Sequence, residues 1–262
     1  MRPSAQQTDR SPGASAVVFL SPHYDDAVLS CGAAIAAIPE SLVITVFSGG
    51  PAPGDPISGW DRDCGFAPGD GVATIREQED RAALVLLGSH GSGLAFMPAQ
   101  YRIAASSRVT RLMALARRRS RTVGDSDLQR EVTAKLAAAL RTIAPDTCVI
   151  PLGVSHPDHV LTAASGLSLV DIFPDCRWLA YTDLPYGAED TDAFEQATRR
   201  VRAAGCRLEP TALTEHGEPQ LKRRAVDCYA SQVRGLGDRV AIALASPESY
   251  FELSRPEPQP IA

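Results

Sequence analysis

Short continuous apolar runs alternate with longer amphipathic stretches over most of this 262-residue chain. Residues 16–21, 42–47 and 147–151 are apolar runs of strand length without polar alternation, the pattern of strands covered on both faces. Residues 178–182 add a further strand, and 94–96 a short one. Between them, residues 28–38, 74–87, 107–118, 126–143 and 158–170 carry helical patterning. Gly88 is placed to end the second of these helices, and Pro145 to stop the fourth. The last 80 residues are less regular, with helices expected at 193–204 and 218–229 and strands at 207–213 and 250–253. Repeated strand-then-helix order predicts an α/β fold, a mostly parallel sheet with helices on both faces, in a single domain over residues 16–255. The polar lead 1–15 and the proline-containing tail 256–262 are expected to be flexible.

In such sheets ligands sit beyond the carboxyl ends of the strands, so loops that follow strands are where chemistry is sought. The loop after the first strand reads Ser21-Pro22-His23-Tyr24-Asp25-Asp26 and runs straight into a helix. The loop after Ile150 contains His156-Pro157-Asp158-His159, again just before a helix. Either loop alone is explained by helix capping, because an aspartate in the first turn satisfies free amide donors. Capping does not call for histidine, and three of the five histidines fall in these two loops. If the loops meet, His23, Asp26 and His159 offer two nitrogens and one oxygen. Three protein ligands with an open position are the catalytic zinc arrangement, whereas structural zinc is closed by four. Water on such an ion has its pKa lowered from about 15.7 to about 7. With Asp25 beside the ion as a base, the reaction class becomes metal-assisted hydrolysis. The same set of two histidines and one carboxylate also suits a non-haem Fe2+ oxygenase, the alternative enzyme reading.

These two motifs, in this order and separation, resemble the zinc-dependent N-deacetylases of the PIG-L/LmbE-like family. Arg76-Glu77-Gln78-Glu79-Asp80, leading to Leu87-Gly88, and Tyr229-Ala230-Ser231-Gln232 are further matches. The resemblance runs from about Val17 to Tyr250. It implies a Rossmann-like fold and hydrolysis of an N-acyl group, usually acetyl on an amino sugar. On matching positions it implies His23, Asp26 and His159 as Zn2+ ligands and Asp25 as the general base. It implies His156 as a charged electrophile that steadies the tetrahedral oxyanion and protonates the leaving amine. Asp158 would orient or charge-stabilise an imidazole of its own loop, and Arg76 and Asp80 would reach the site. The chain departs from many members at Tyr24 and Ala27, while Val154 and Ser155 stand where some sugar-specific members carry a tyrosine. Ala27 and Val154 are the features that would suit a binding module of this fold without turnover.

The 48–72 connection is long for a compact domain and carries Trp60, Asp61, Asp63 and Cys64, which makes it a candidate substrate lid. Asp183 and Tyr186, just past the 178–182 strand, are candidates for the cleft wall beside Arg76 and Trp60. The glycine-rich stretch 88–93 follows a helix rather than a strand, so it is not a dinucleotide loop. Arg117, Arg118, Arg119 and Arg121 fall where a helix should end and complement that terminus. Lys and Arg number 26 against 31 Asp and Glu; the net charge of −5 removes the usual basis for binding nucleic acid or an anionic membrane. It fits a neutral polar ligand better than a polyanion. No apolar run is long enough for a signal core or a bilayer span, and the six cysteines show no C-x-x-C pair. Reduced thiols and a cytoplasmic location are expected. The expected substrate is a small polar N-acyl compound: an amino sugar, a sugar-linked thiol precursor or an intermediate of secondary metabolism.

Overall fold

The computed structural model describes residues 16–52, 54–104 and 123–256. The lead 1–15, the expected helix 107–118 with its basic run through Arg121, and the tail beyond Pro256 lie outside these residues. Strands β1 (Val17–Ser21), β2 (Leu42–Thr45), β3 (His90–Gly93), β4 (Thr147–Pro151), β5 (Arg177–Tyr181), β6 (Arg207–Thr211) and β7 (Tyr250–Ser254) form one seven-stranded sheet. Its order is β3-β2-β1-β4-β5-β7-β6. β3 through β5 run parallel, and β7 is antiparallel to both of its neighbours. The helices are α1 (Asp26–Ala37), α2 (Gly59–Asp63), α3 (Val72–Leu86), α4 (Ala99–Ala104), α5 (Val123–Ile143), α6 (Pro157–Leu167), α7 (Tyr186–Glu189), α8 (Thr191–Ala203), α9 (Pro219–Val226), α10 (Ala230–Leu236) and α11 (Arg239–Ala245).

Successive side chains of a strand point to opposite faces, and β1 feeds two cores in this way. Val17 and Phe19 pack with Val28, Ile35, Leu84, Ala225 and Ala243, under α1, α3, α9 and α11. Val18 and Leu20 pack with Leu136, Leu140, Leu161 and Val201, under α5, α6 and α8. Covering on both faces is why the central strands are uninterrupted apolar runs. β3 breaks that rule: its sequence His-Gly-Ser-Gly is exposed throughout at the sheet edge. Hydropathy therefore marks residues 94–96 instead, which lie just past the strand. The C-terminal region holds more helix than expected: α9 lies within the helix expected at 218–229, α10 and α11 follow where none is expected, and α2 lies within the 48–72 connection.

The strand order reverses between β1 and β4, since the chain proceeds outward from β1 to β2 and β3 and then returns to β4. Such a reversal opens a crevice at the carboxyl ends of the two strands. Both histidine-bearing loops emerge there. The six cysteines are free thiols, with only Cys228 outside the buried class. Among the described residues no helix is long and apolar enough to cross a membrane.

Candidate metal and catalytic site

The β1 loop is a tight turn closed by its own side chains. Asp26 Oδ2 accepts from the His23 backbone N–H at 2.8 Å, and Ser21 Oγ accepts from Ala27 N at 3.0 Å. Asp25 occupies the N-cap position of α1, yet its carboxylate makes no capping hydrogen bond. Helix capping thus does not explain Asp25. It does explain part of His156: the imidazole caps α6, its Nδ1 accepting from Asp158 N at 3.2 Å. Gly153 reaches this loop with φ of 83°, and a Cβ there would lie 2.7 Å from that of Ala163. The tight approach of the loop to α6 requires glycine at that position.

The two loops meet. His23 Nδ1 lies 3.0 Å from Asp26 Oδ2, and the same oxygen lies 3.1 Å from His159 Nε2. Ligand atoms about 2.0–2.1 Å from one tetrahedral ion are roughly 3.3 Å apart, so this trio is close to ligand spacing. Apart from Asp26 Oδ2, the buried His159 Nε2 has no polar partner. The far nitrogen of each ring is held by a carboxylate: His159 Nδ1 on Asp183 Oδ1 at 2.7 Å, and His23 Nε2 on Asp158 Oδ2 at 3.0 Å. That outer pairing fixes ring orientation and turns the opposite lone pair inward, the support that metal-binding histidines need. The donor set therefore fits a divalent ion. His156 faces the same space, its ring 5.0 Å from His23 and 5.3 Å from His159, and His23, His156 and His159 also form a possible three-nitrogen set.

Crowding of like and unlike charge sets the protonation of the ion-free site. Burial opposes charge on His23, but Asp158 and Asp26 outweigh it and raise its pKa to about 9. Burial likewise opposes charge on His159, and Asp26 and Asp183 raise it to about 10. Asp26 is held well below the carboxylate range: His159 and His23 overcome the effect of its burial. Burial and the neighbouring Asp26 push Asp25 up to about 6. His156 moves the other way, to about 3, because it is buried and faces two charged imidazoles. In the ion-free cluster this favours the neutral ring, with Nδ1 taken up by Asp158 N and the proton on Nε2. Since ligand nitrogens must be deprotonated, loading with a divalent ion near neutral pH should release roughly two protons. Calorimetry in buffers of different ionisation enthalpy measures that number; no release would show that His23 and His159 are already neutral. The sign for the metal-free fold is opposite: the raised pairs stabilise it fully below the unfolded value of 6.5, and that contribution is lost as pH rises through about 9 to 10.

A cavity of about 310 Å³ opens beside this cluster. His23, Asp25, Asp26 and His156 line it together with Trp60, Arg76 and Tyr186. Tyr186 stands edge-on to His159 at 5.1 Å and is covered by Arg239 at 4.7 Å. Two expected residues sit elsewhere. Asp183 is 1% exposed and away from the cavity lining. Besides His159 it accepts from Gly153 N and Val154 N, so it braces the β4 loop rather than forming a cleft wall. Asp158 is fully buried and orients His23, across the crevice, by its side chain; only its backbone N–H serves His156 in its own loop. Asp80 is buried under the Tyr229 hydroxyl, which donates to it at 2.7 Å, and Glu79 accepts from Ser231. The Arg76–Asp80 segment and the Tyr229–Gln232 element thus interlock, and of residues 76–80 only Arg76 lines the cavity.

Sequence reasoning missed Arg102, which donates to Asp158 Oδ1 at 2.6 Å and lies 4.8 Å over the Phe47 ring. It missed Gln100 and Tyr101 beside it. None stands in a motif or follows a strand, so no local signal marks them.

The family model described as PIG-L, GlcNAc-PI de-N-acetylase, matches residues 18–170. No curated protein matches the chain. Among solved structures, a deacetylase of the teicoplanin biosynthesis pathway is 25% identical with a TM-score of 0.71, covering 93% of this chain and 99% of its own. The A40926 pseudoaglycone deacetylase is 25% identical with a TM-score of 0.68, covering 92% and 98%. A teicoplanin deacetylase structure described as the zinc-inhibited form is 25% identical with a TM-score of 0.70, covering 93% and 99%. The matched region contains both histidine loops and more than half of the chain, and the protein belongs to the PIG-L family of metal-binding N-deacetylases.

Proposed function

We propose that the protein hydrolyses the acetamide of an N-acetylated amino sugar carried on a larger, partly apolar molecule, such as a glycopeptide pseudoaglycone. The observation that carries this reading is the convergence of His23 Nδ1, Asp26 Oδ2 and His159 Nε2 beside a cavity lined by Asp25 and His156. His23, Asp26 and His159 would hold the ion, with zinc as the first choice for this nitrogen and oxygen set and Fe2+ as the other candidate. When bound, the ion supplies Lewis acidity toward the acetyl carbonyl and lowers the pKa of water. Asp25 takes the proton from the attacking water, since its carboxylate is not committed to capping. His156 donates its Nε2–H to the oxygen that becomes negative, because its Nδ1 is already an acceptor for Asp158 N. Asp25, having taken that proton, returns it to the leaving amine. Asp158 and Asp183 keep the two ligand rings oriented.

The walls support the substrate class. Arg76 brings a guanidinium to the cavity wall, a group suited to a sugar hydroxyl or acetamide oxygen. Trp60, Phe47, Tyr186 and Leu236 offer the flat and apolar surface that a sugar ring and its aglycone need. The related teicoplanin deacetylase has a zinc-inhibited form, so zinc should be added stoichiometrically rather than in excess. The test is acetate release by the metal-loaded protein from an N-acetylglucosaminyl pseudoaglycone and from free N-acetylglucosamine. Acetate with the matching free amine is the expected result, faster from the larger substrate. Absence of acetate from both, across zinc, iron and cobalt, would sink the reading.

A further inference from the structure

We propose that Asp61 is a positioning residue for substrate binding: a buried carboxylate that ties three separate segments into the outer wall of the catalytic cavity. The proposal rests on the reading of that cavity as an amino-sugar site. Asp61 Oδ2 accepts from Ser58 N at 2.7 Å and from the Tyr101 hydroxyl at 2.6 Å. Oδ1 accepts from Arg76 Nη2 and from Gln100 Nε2, each at 3.2 Å. These donors belong to the start of α2, to α3 and to α4, none of which is a strand of the sheet. Trp60, Arg76 and Gln100, the neighbours and partners of Asp61, line the cavity, whereas Asp61 itself does not.

Capping alone does not account for this residue. Asp61 and Ser58 form a reciprocal capping box for α2, which needs only the Ser58 bonds. A helix of five residues at the surface could keep such a cap in water. Instead Asp61 is fully buried, a costly place for a carboxylate unless several donors meet it there. The extra donors are those that shape the cavity. Arg76 is the clearest case: Asp61 holds Nη2, Cys64 Sγ lies 3.8 Å from it, and Phe66 lies 5.8 Å beneath the guanidinium. The rotamer so fixed leaves Nε buried and unpartnered at the cavity wall. On the other side Trp60 is tied to Gln232 of α10 at 3.3 Å. The 48–72 connection is therefore pinned at its middle from both sides, and this part is a built wall rather than a free lid.

Asp61→Asn keeps the shape but replaces one acceptor oxygen by a donor and removes the charge facing Arg76. Leaving buried donors unmatched should loosen the wall and raise KM for the N-acetylglucosaminyl pseudoaglycone roughly tenfold. Because the ion and Asp25 are untouched, kcat should stay within about twofold, the pattern of lost uniform binding. Zinc affinity should not change. Hydrogen–deuterium exchange should quicken in residues 58–66 and 99–104 and stay unchanged in β1 and β4. Tyr101→Phe removes one hydroxyl, is safe for folding, and should shift KM and exchange in the same direction by less. A fall in kcat at constant KM, a weakened metal site, or unchanged exchange in both variants would overturn the proposal. Faster exchange in Asp61→Asn, with a wild-type protein that releases no acetate from any N-acetyl compound, would sustain the role of Asp61 in the wall and sink the amino-sugar reading instead.

Discussion

Asp25→Asn is expected to lower kcat by about 10²–10⁴-fold while leaving bound metal unchanged. Asparagine matches aspartate in size and still fits the N-cap position of α1, so the fold has no reason to change. What it cannot do is accept a proton from water. The carboxylate it replaces lines the cavity next to Asp26 and is raised to about 6 by burial and by that neighbour. The acidic limb of kcat/KM should report the deprotonation of this carboxylate. Single-turnover acetate release with metal analysis of the same sample checks both halves of the expectation. Loss of metal in the variant would make Asp25 a ligand and the assigned roles wrong. Turnover near the wild-type rate would remove it from the chemistry.

The second large effect is expected at His159. His159→Ala should weaken metal binding by more than about 100-fold, since it removes a ligand, and an outer partner alone is worth 10–100-fold. His159 is 1% exposed, and its Nε2 faces Asp26 Oδ2, the other proposed ligand, at 3.1 Å. Its partner Asp183 provides the graded companion experiment. Asp183→Asn keeps the contact to the ring but lowers its basicity, so its metal Kd should rise by about 10–100-fold. The ranking of the two variants is the informative result. Full metal occupancy in His159→Ala would refute the proposed site, and equal losses would show that Asp183 acts by holding the β4 loop rather than through the ring. Circular dichroism of each metal-free variant separates either outcome from unfolding.

The central strands and the two loops at their ends were legible because both follow from local rules. Strands buried on both faces must be apolar throughout, and loops carrying His and Asp between a strand and a helix stand out against that background. The outer partners were only partly legible. Asp183 was noticed for following β5, but its side chain turns inward to three donors, a matter of packing that spacing does not express. Arg102 has no local mark at all: it gains its role from lying against Asp158, 56 residues away. β3 was misplaced for a related reason. An exposed edge strand held by parallel hydrogen bonds to β2 needs no apolar side chains, so hydropathy is silent there. The lowered pKa of His156 comes from burial first and then from two neighbouring imidazoles, one of them from the other loop, which a linear motif has no means of recording.

The reversal of strand order between β1 and β4 has an evolutionary consequence. Both histidine loops grow from the most enclosed strands of the sheet, the parts of a protein that open last. The cavity walls come instead from α2, α4 and α10, peripheral elements joined to the interior by a small number of side-chain bonds. Mutational drift can therefore exchange the walls while the hydrolytic centre persists. New N-acyl substrates become reachable by transplanting residues 54–66, with the Asp61 contacts preserved as the seam along which such a graft should be cut.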